Sequence, residues 1–182
     1  MPELKKDKIL QIINANRQTD NHVDVGSVKR WKEPGRYSTS DLDGCLAVVI
    51  AGREGIVLAH YLAKLSDHQN DLESLRKEAT PLGKNADAFL FAQKFLGEYS
   101  YKDQASAFAE FISDELGLDV PSTTPYGYAK DLATMEEIIA LDDSKDDIDV
   151  KLRGTLLVDY EHATGNLAIY IEGVRYPMGR CS

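Results

Sequence analysis

Cysteine is scarce in this chain of 182 residues: it occurs twice, as Cys45 and Cys181, and no CxxC pair is formed. The four histidines are scattered without a local carboxylate or cysteine pattern, so no metal and no cofactor is expected. His22, His68 and His162 read as surface residues in loops or in a first helical turn. Cys181 is next to last, where termini fray, and both cysteines therefore read as free thiols rather than one disulfide. No apolar run approaches the length of a membrane-spanning helix, and the opening residues lack the apolar core of a secretory signal. A cytoplasmic location is the favoured expectation, with a mature secreted form left open. Basic residues are also in deficit, 21 against 30 acidic ones, and the net charge of −9 argues against nucleic acid or an anionic membrane as a partner. There is no repeat, low-complexity tract or linker, so residues 1–182 read as a single domain able to bury a core. Nothing in the pattern sets an oligomeric state.

What the chain does have is the stretch Gly44 to His60, Gly-Cys-Leu-Ala-Val-Val-Ile-Ala-Gly-Arg-Glu-Gly-Ile-Val-Leu-Ala-His. Two β-rich runs, 46–51 and 56–61, flank Gly52-Arg53-Glu54-Gly55, which is a hairpin signal. A two-residue loop pairs Gly52 with Gly55 and a four-residue loop pairs Ala51 with Ile56; both give one register, with His60 opposite Ala47. Because side chains alternate along a strand, Cys45 then shares the face of Ala47 and is the diagonal neighbour of His60, with Cβ atoms roughly 7 Å apart in a regular sheet. A three-residue loop or a bulge would instead put the two on opposite faces.

Around this hairpin the periodicity predicts a short amphipathic helix over 4–15, a strand over 22–31, and a polar loop over 32–44 that delivers Cys45 to the buried strand. Ser66 and Gln69 have capping-box spacing, with Ser66 as N-cap of a helix running to Ala79 and burying Leu72 and Leu75. Residues 87–95 read as a strand and 101–116 as the clearest helix, with Ala105, Phe108, Ala109, Ile112 and Leu116 on its apolar face, Gln104 on its polar face and Gly117 as its stop. The segment 120–128 is turn-rich and a candidate cleft wall, 132–141 a second amphipathic helix, and 142–149 an acidic solvated loop. Strands over 155–160 and 167–172 close the chain around a second hairpin signal. Adjacent hairpins with helices outside indicate an α+β fold: a β-sandwich-like core of mixed or antiparallel strands with flanking helices.

A thiol beside an imidazole is equipped for acyl transfer. An imidazolium lowers the thiol pKa, and a cysteine at a strand start, here Cys45 after Gly44, can aim backbone N–H groups at a developing oxyanion. The same residues equally suit a buried core thiol and a backbone-bonded histidine in a non-catalytic interaction module.

Gly44-Cys45 opening an apolar strand, a short turn, and a second strand ending in His60 resembles the core of the cysteine-dependent glutamine deamidases. These include the catalytic domain of the cytotoxic necrotizing factors, the chemoreceptor deamidase CheD and similar uncharacterised fungal proteins. The resemblance covers residues 39–61. It implies a deamidase-like fold and a toxin- or effector-like hydrolase acting on a protein substrate with an exposed glutamine. Cys45 would be the nucleophile, His60 the base and Thr39 the residue that assists the histidine. Asp43 departs from the pattern, standing where a small or hydroxyl residue is usual, and an acidic side chain there would raise the thiol pKa. A cysteine hydrolase or transglutaminase would use the same dyad and differ only after the acyl-enzyme.

Overall fold

The strands of the central hairpin are apolar on both faces up to His60, so the sheet that contains them must be covered on both faces. The computed structural model describes residues 2–62, 68–95, 98–99, 101–119, 123–126, 147–161 and 166–177, and it meets that requirement with two stacked sheets and helices outside both. In chain order the elements are α1 (Lys6–Asn16), β1 (His22–Val23), β2 (Ser27–Trp31), β3 (Gly35–Thr39), β4 (Leu46–Gly52), β5 (Gly55–Tyr61), α2 (Gln69–Ala79), β6 (Asp87–Phe95), β7 (Glu98–Tyr99), α3 (Lys102–Asp114), β8 (Thr123–Tyr126), β9 (Leu156–Glu161), β10 (Asn166–Ile171) and β11 (Val174–Arg175). A single 3-10 turn follows α2, and a short helical turn, Ile148–Lys151, precedes β9. The fold is α+β.

One sheet has the order β1-β3-β9-β10-β11, with β1 parallel to β3 and the remaining neighbours antiparallel. The other has the order β2-β5-β4-β6-β7, with β8 added parallel to β6. Three apolar layers hold the stack together. Ala47, Val49, Ile56, Leu58 and Phe91 of the second sheet pack against Leu156, Val158 and Ile169 of the first. The alternate residues Val48, Ile50, Val57, Ala59 and Leu90 pack outward on Leu75 of α2 and Phe108 and Ile112 of α3. Ile9 and Ile13 of α1 cover Leu157, Ala168 and Tyr170 on the far side of the first sheet. Each fully buried Leu, Ile or Val contributes about 2 kcal/mol by area, which explains why the hairpin strands tolerate no polar residue before His60.

Several expectations are corrected. The single strand over 22–31 is two strands in different sheets: Gly26 turns the chain at φ +76° and donates its N–H to the His60 carbonyl at 2.7 Å, leaving Val25 exposed. The polar loop over 32–44 contains β3, whose polar side chains find distant partners: Asn16 Nδ2 donates to Ser38 Oγ at 3.1 Å, and Arg36 Nε to Asp159 Oδ2 at 3.1 Å. Gln104 is buried and donates Nε2 to the Leu62 carbonyl at 3.0 Å. Gln69 begins α2 instead of holding its third position, and Ser66 lies outside the described residues. So do residues 127–146, His162 and Cys181, and with them the second amphipathic helix and most of the candidate cleft wall.

Candidate active site

The hairpin turn sets the site. Gly52 pairs with Gly55 across Arg53-Glu54, and the ladder continues to Ala47 opposite His60 and Leu46 opposite Tyr61. Only glycine fits at 55: its φ is +138°, and a Cβ would stand 2.3 Å from the Trp31 carbonyl oxygen. Cys45 lies one residue before β4 and packs in the inter-sheet core with Ala47 and Val49, on the face that His60 shares through its pairing with Ala47.

His60 is 0% exposed. Its Nδ1 lies 2.9 Å from Oγ1 of Thr39, a residue of the opposite sheet, and that hydroxyl donates to the Val23 carbonyl at 2.7 Å. A hydroxyl has one proton, and this one is committed to Val23; the Thr39 oxygen must accept, so His60 carries its proton on Nδ1. The Nε2 lone pair is left over, and among the described residues Nε2 is buried with no hydrogen-bond partner, Cys45 Sγ included. Burial holds the imidazole pKa down to about 4, against the opposing pull of Asp41 and Asp24, with His22 adding to the lowering. His60 is therefore a neutral base at neutral pH. This replaces the expected imidazolium: the pair is thiol plus imidazole, and charge would appear only as the proton moves.

Cys45 is 4% exposed, and its thiol donates a weak hydrogen bond to the Asp43 carbonyl at 3.7 Å. Its backbone N–H, expected at an oxyanion, donates to the Leu42 carbonyl at 2.8 Å and is engaged inside the turn. Gly44 bends that turn with φ +74°. The Asp43 carboxylate accepts from Gln93 Nε2 at 3.0 Å. Gln93 was not singled out by the sequence, although the alternation Phe89, Phe91, Gln93 puts it on the same face as the two buried phenylalanines.

Behind Thr39 lies a second polar layer. His22, expected at the surface, is buried, with Nδ1 3.2 Å from Ser38 Oγ and Nε2 3.4 Å from Ser40 Oγ, and burial lowers its pKa. Ser40 donates to Asp41 Oδ2 at 2.9 Å, and Arg17 pairs with the same carboxylate. β3 is thus polar on both faces, with Ser38 facing His22 and Thr39 facing His60. His68 also departs from the surface expectation, since its Nδ1 is buried, without a hydrogen-bond partner among the described residues, and its ring lies 6.0 Å from that of Phe108.

Among the described residues no three His, Cys, Asp or Glu side chains cluster as a metal site requires, and no helix is long and apolar enough to cross a membrane. Compared with known proteins, the chain matches no family model and no curated protein sequence.

Proposed function

We propose that Cys45 and His60 form the nucleophile and base of an acyl-transfer site whose substrate is the carboxamide of a protein glutamine, on a deamidase-like scaffold. The observation that carries the reading is the His60 Nε2 lone pair: buried, without a hydrogen-bond partner among the described residues, and fixed in its tautomer by Thr39 on the face that holds Cys45. Leaving a buried acceptor unpaired costs about 1–3 kcal/mol, an expense with a use at a functional site and none in a plain core.

In this reading the Cys45 sulfur attacks the carboxamide carbon while His60 Nε2 takes the thiol proton, and the C=O π pair moves onto oxygen. The imidazolium returns the proton to the amide nitrogen, the C–N bond breaks, and ammonia leaves a thioester on Cys45. Water, deprotonated by the neutral His60, adds to the thioester; the C–S bond then breaks and the imidazolium returns its proton to the departing sulfur, giving glutamate, the free thiol and neutral His60. Thr39 is a positioning residue, since it acts only through the imidazole. No cofactor enters any step.

A second reading is favoured by the near-complete burial of Cys45: a non-catalytic interaction module on the same scaffold. The two are separated by a peptide carrying 6-diazo-5-oxo-norleucine, which presents a diazoketone where glutamine has its carboxamide. An adduct on Cys45 that is lost in His60→Gln supports acyl transfer. A folded protein whose Cys45 stays unmodified supports the module.

A further inference from the structure

The Cys45 N–H is already donated to Leu42, and a side-chain donor beside this turn is the Gln93 carboxamide. The β4–β6 ladder ends with Leu46 opposite Ala92; Gln93 is the next residue of β6, on the face of Phe89 and Phe91, and Cys45 is the residue before β4. Its Oε1 lies 3.7 Å from where a Cβ on Gly44 would stand, and its Nε2 holds Asp43 at 3.0 Å. The carboxamide therefore spans the two residues that precede the nucleophile.

We infer that Gln93 is a catalytic residue of this site, the donor that receives the substrate carbonyl oxygen, and that Asp43 holds it in reserve while the site is empty. This rests on the acyl-transfer reading above. When a primary carboxamide enters, Gln93 Nε2 exchanges the Asp43 carboxylate for the substrate oxygen. As the C–S bond forms and the thiol proton passes to His60 Nε2, the π pair of the carbonyl becomes an oxyanion that accepts from the Gln93 N–H. The Asp43 side chain, a departure from the resemblance, then has a role other than raising the thiol pKa: it orients the donor and, with Gln93, closes over Cys45. The exchange trades a bond to the Asp43 carboxylate for one to a neutral carbonyl, and the charge assistance returns as the oxyanion forms.

Two thiol reagents test this in the full chain carrying Cys181→Ser. Iodoacetamide carries a carboxamide; methyl methanethiosulfonate is small and has none. Asp43→Ala should raise both rates by about fivefold, the effect of removing one exposed charge-assisted hydrogen bond over the thiol, without lowering the ratio of iodoacetamide to methanethiosulfonate. Gln93→Ala and Gln93→Glu should also raise the methanethiosulfonate rate but lower that ratio by about fivefold, since neither offers an amide donor. A ratio unchanged in both Gln93 variants overturns the inference, as does a methanethiosulfonate rate that Asp43→Ala leaves alone. The underlying dyad fails differently, through rates indifferent to His60→Gln whatever happens at Gln93.

Discussion

Acid should loosen this protein through His60, and the size of the effect follows from its burial. In the unfolded chain the imidazole titrates at its ordinary value of 6.5, whereas in the fold burial lowers it to about 4. As the pH falls below 6.5 the unfolded state takes up the proton first, so stability is fully present above that value and is lost as the pH falls toward 4. Integrating two such titrations gives a loss of about 2 kcal/mol by pH 5 and about 3 kcal/mol by pH 4. Buried His22, also lowered, will add to the acid loss, so the comparison must isolate His60. Urea unfolding of wild type and His60→Gln at pH 7, 5 and 4 does this, because every other group is common to both. The wild type should lose about 3 kcal/mol more than the variant between pH 7 and 4. Parallel stability profiles would refute the burial argument and with it the neutral base.

Two further substitutions test the framework that fixes the imidazole. Thr39→Val removes the acceptor for the His60 Nδ1 proton and the donor to Val23, and should destabilise the protein by about 1–3 kcal/mol. Nitrogen NMR of the imidazole should then show mixed tautomers in place of Nδ1–H alone; a retained single tautomer contradicts the Thr39 assignment. Gly55→Ala forces a Cβ against the Trp31 carbonyl at positive φ and should cost about 3 kcal/mol. An unchanged urea midpoint would mean that the turn is not what sets the register.

The central hairpin was legible because both plausible turns between Gly52 and Gly55 give one register, and the observed pairing of Ala47 with His60 is that register. The apolar runs around it carried the sandwich for the same reason: strands buried on both faces need two layers of cover. β3 was not legible, since Arg36, Ser38 and Thr39 read as loop until Asp159, Asn16 and His60 are brought to them from elsewhere in the chain. Local polarity cannot reveal a partner more than a hundred residues away. Thr39 came to notice only through the resemblance, and the contact with His60 is geometric fact whatever the activity. Gln93 needed the β4–β6 register, and the capture of the Cys45 N–H by Leu42 needed the turn itself. The tautomer of His60 follows from the single proton of a threonine hydroxyl, which no sequence pattern encodes.

The most direct test of the account is the pH dependence of Cys45 alkylation by iodoacetamide in wild type and His60→Gln, with Cys181 replaced by Ser so that one thiol reports. A thiol that hands its proton to a neutral imidazole only as the sulfur attacks should give a His60-dependent rate that is level through neutral pH, falling only as the pH approaches the His60 value of about 4. In His60→Gln that level rate should vanish and leave the rise of an ordinary or raised thiol above pH about 8. A wild-type profile that already rises only in alkali, and that His60→Gln leaves unchanged, would contradict the dyad and leave Cys45 as a core thiol in an interaction module.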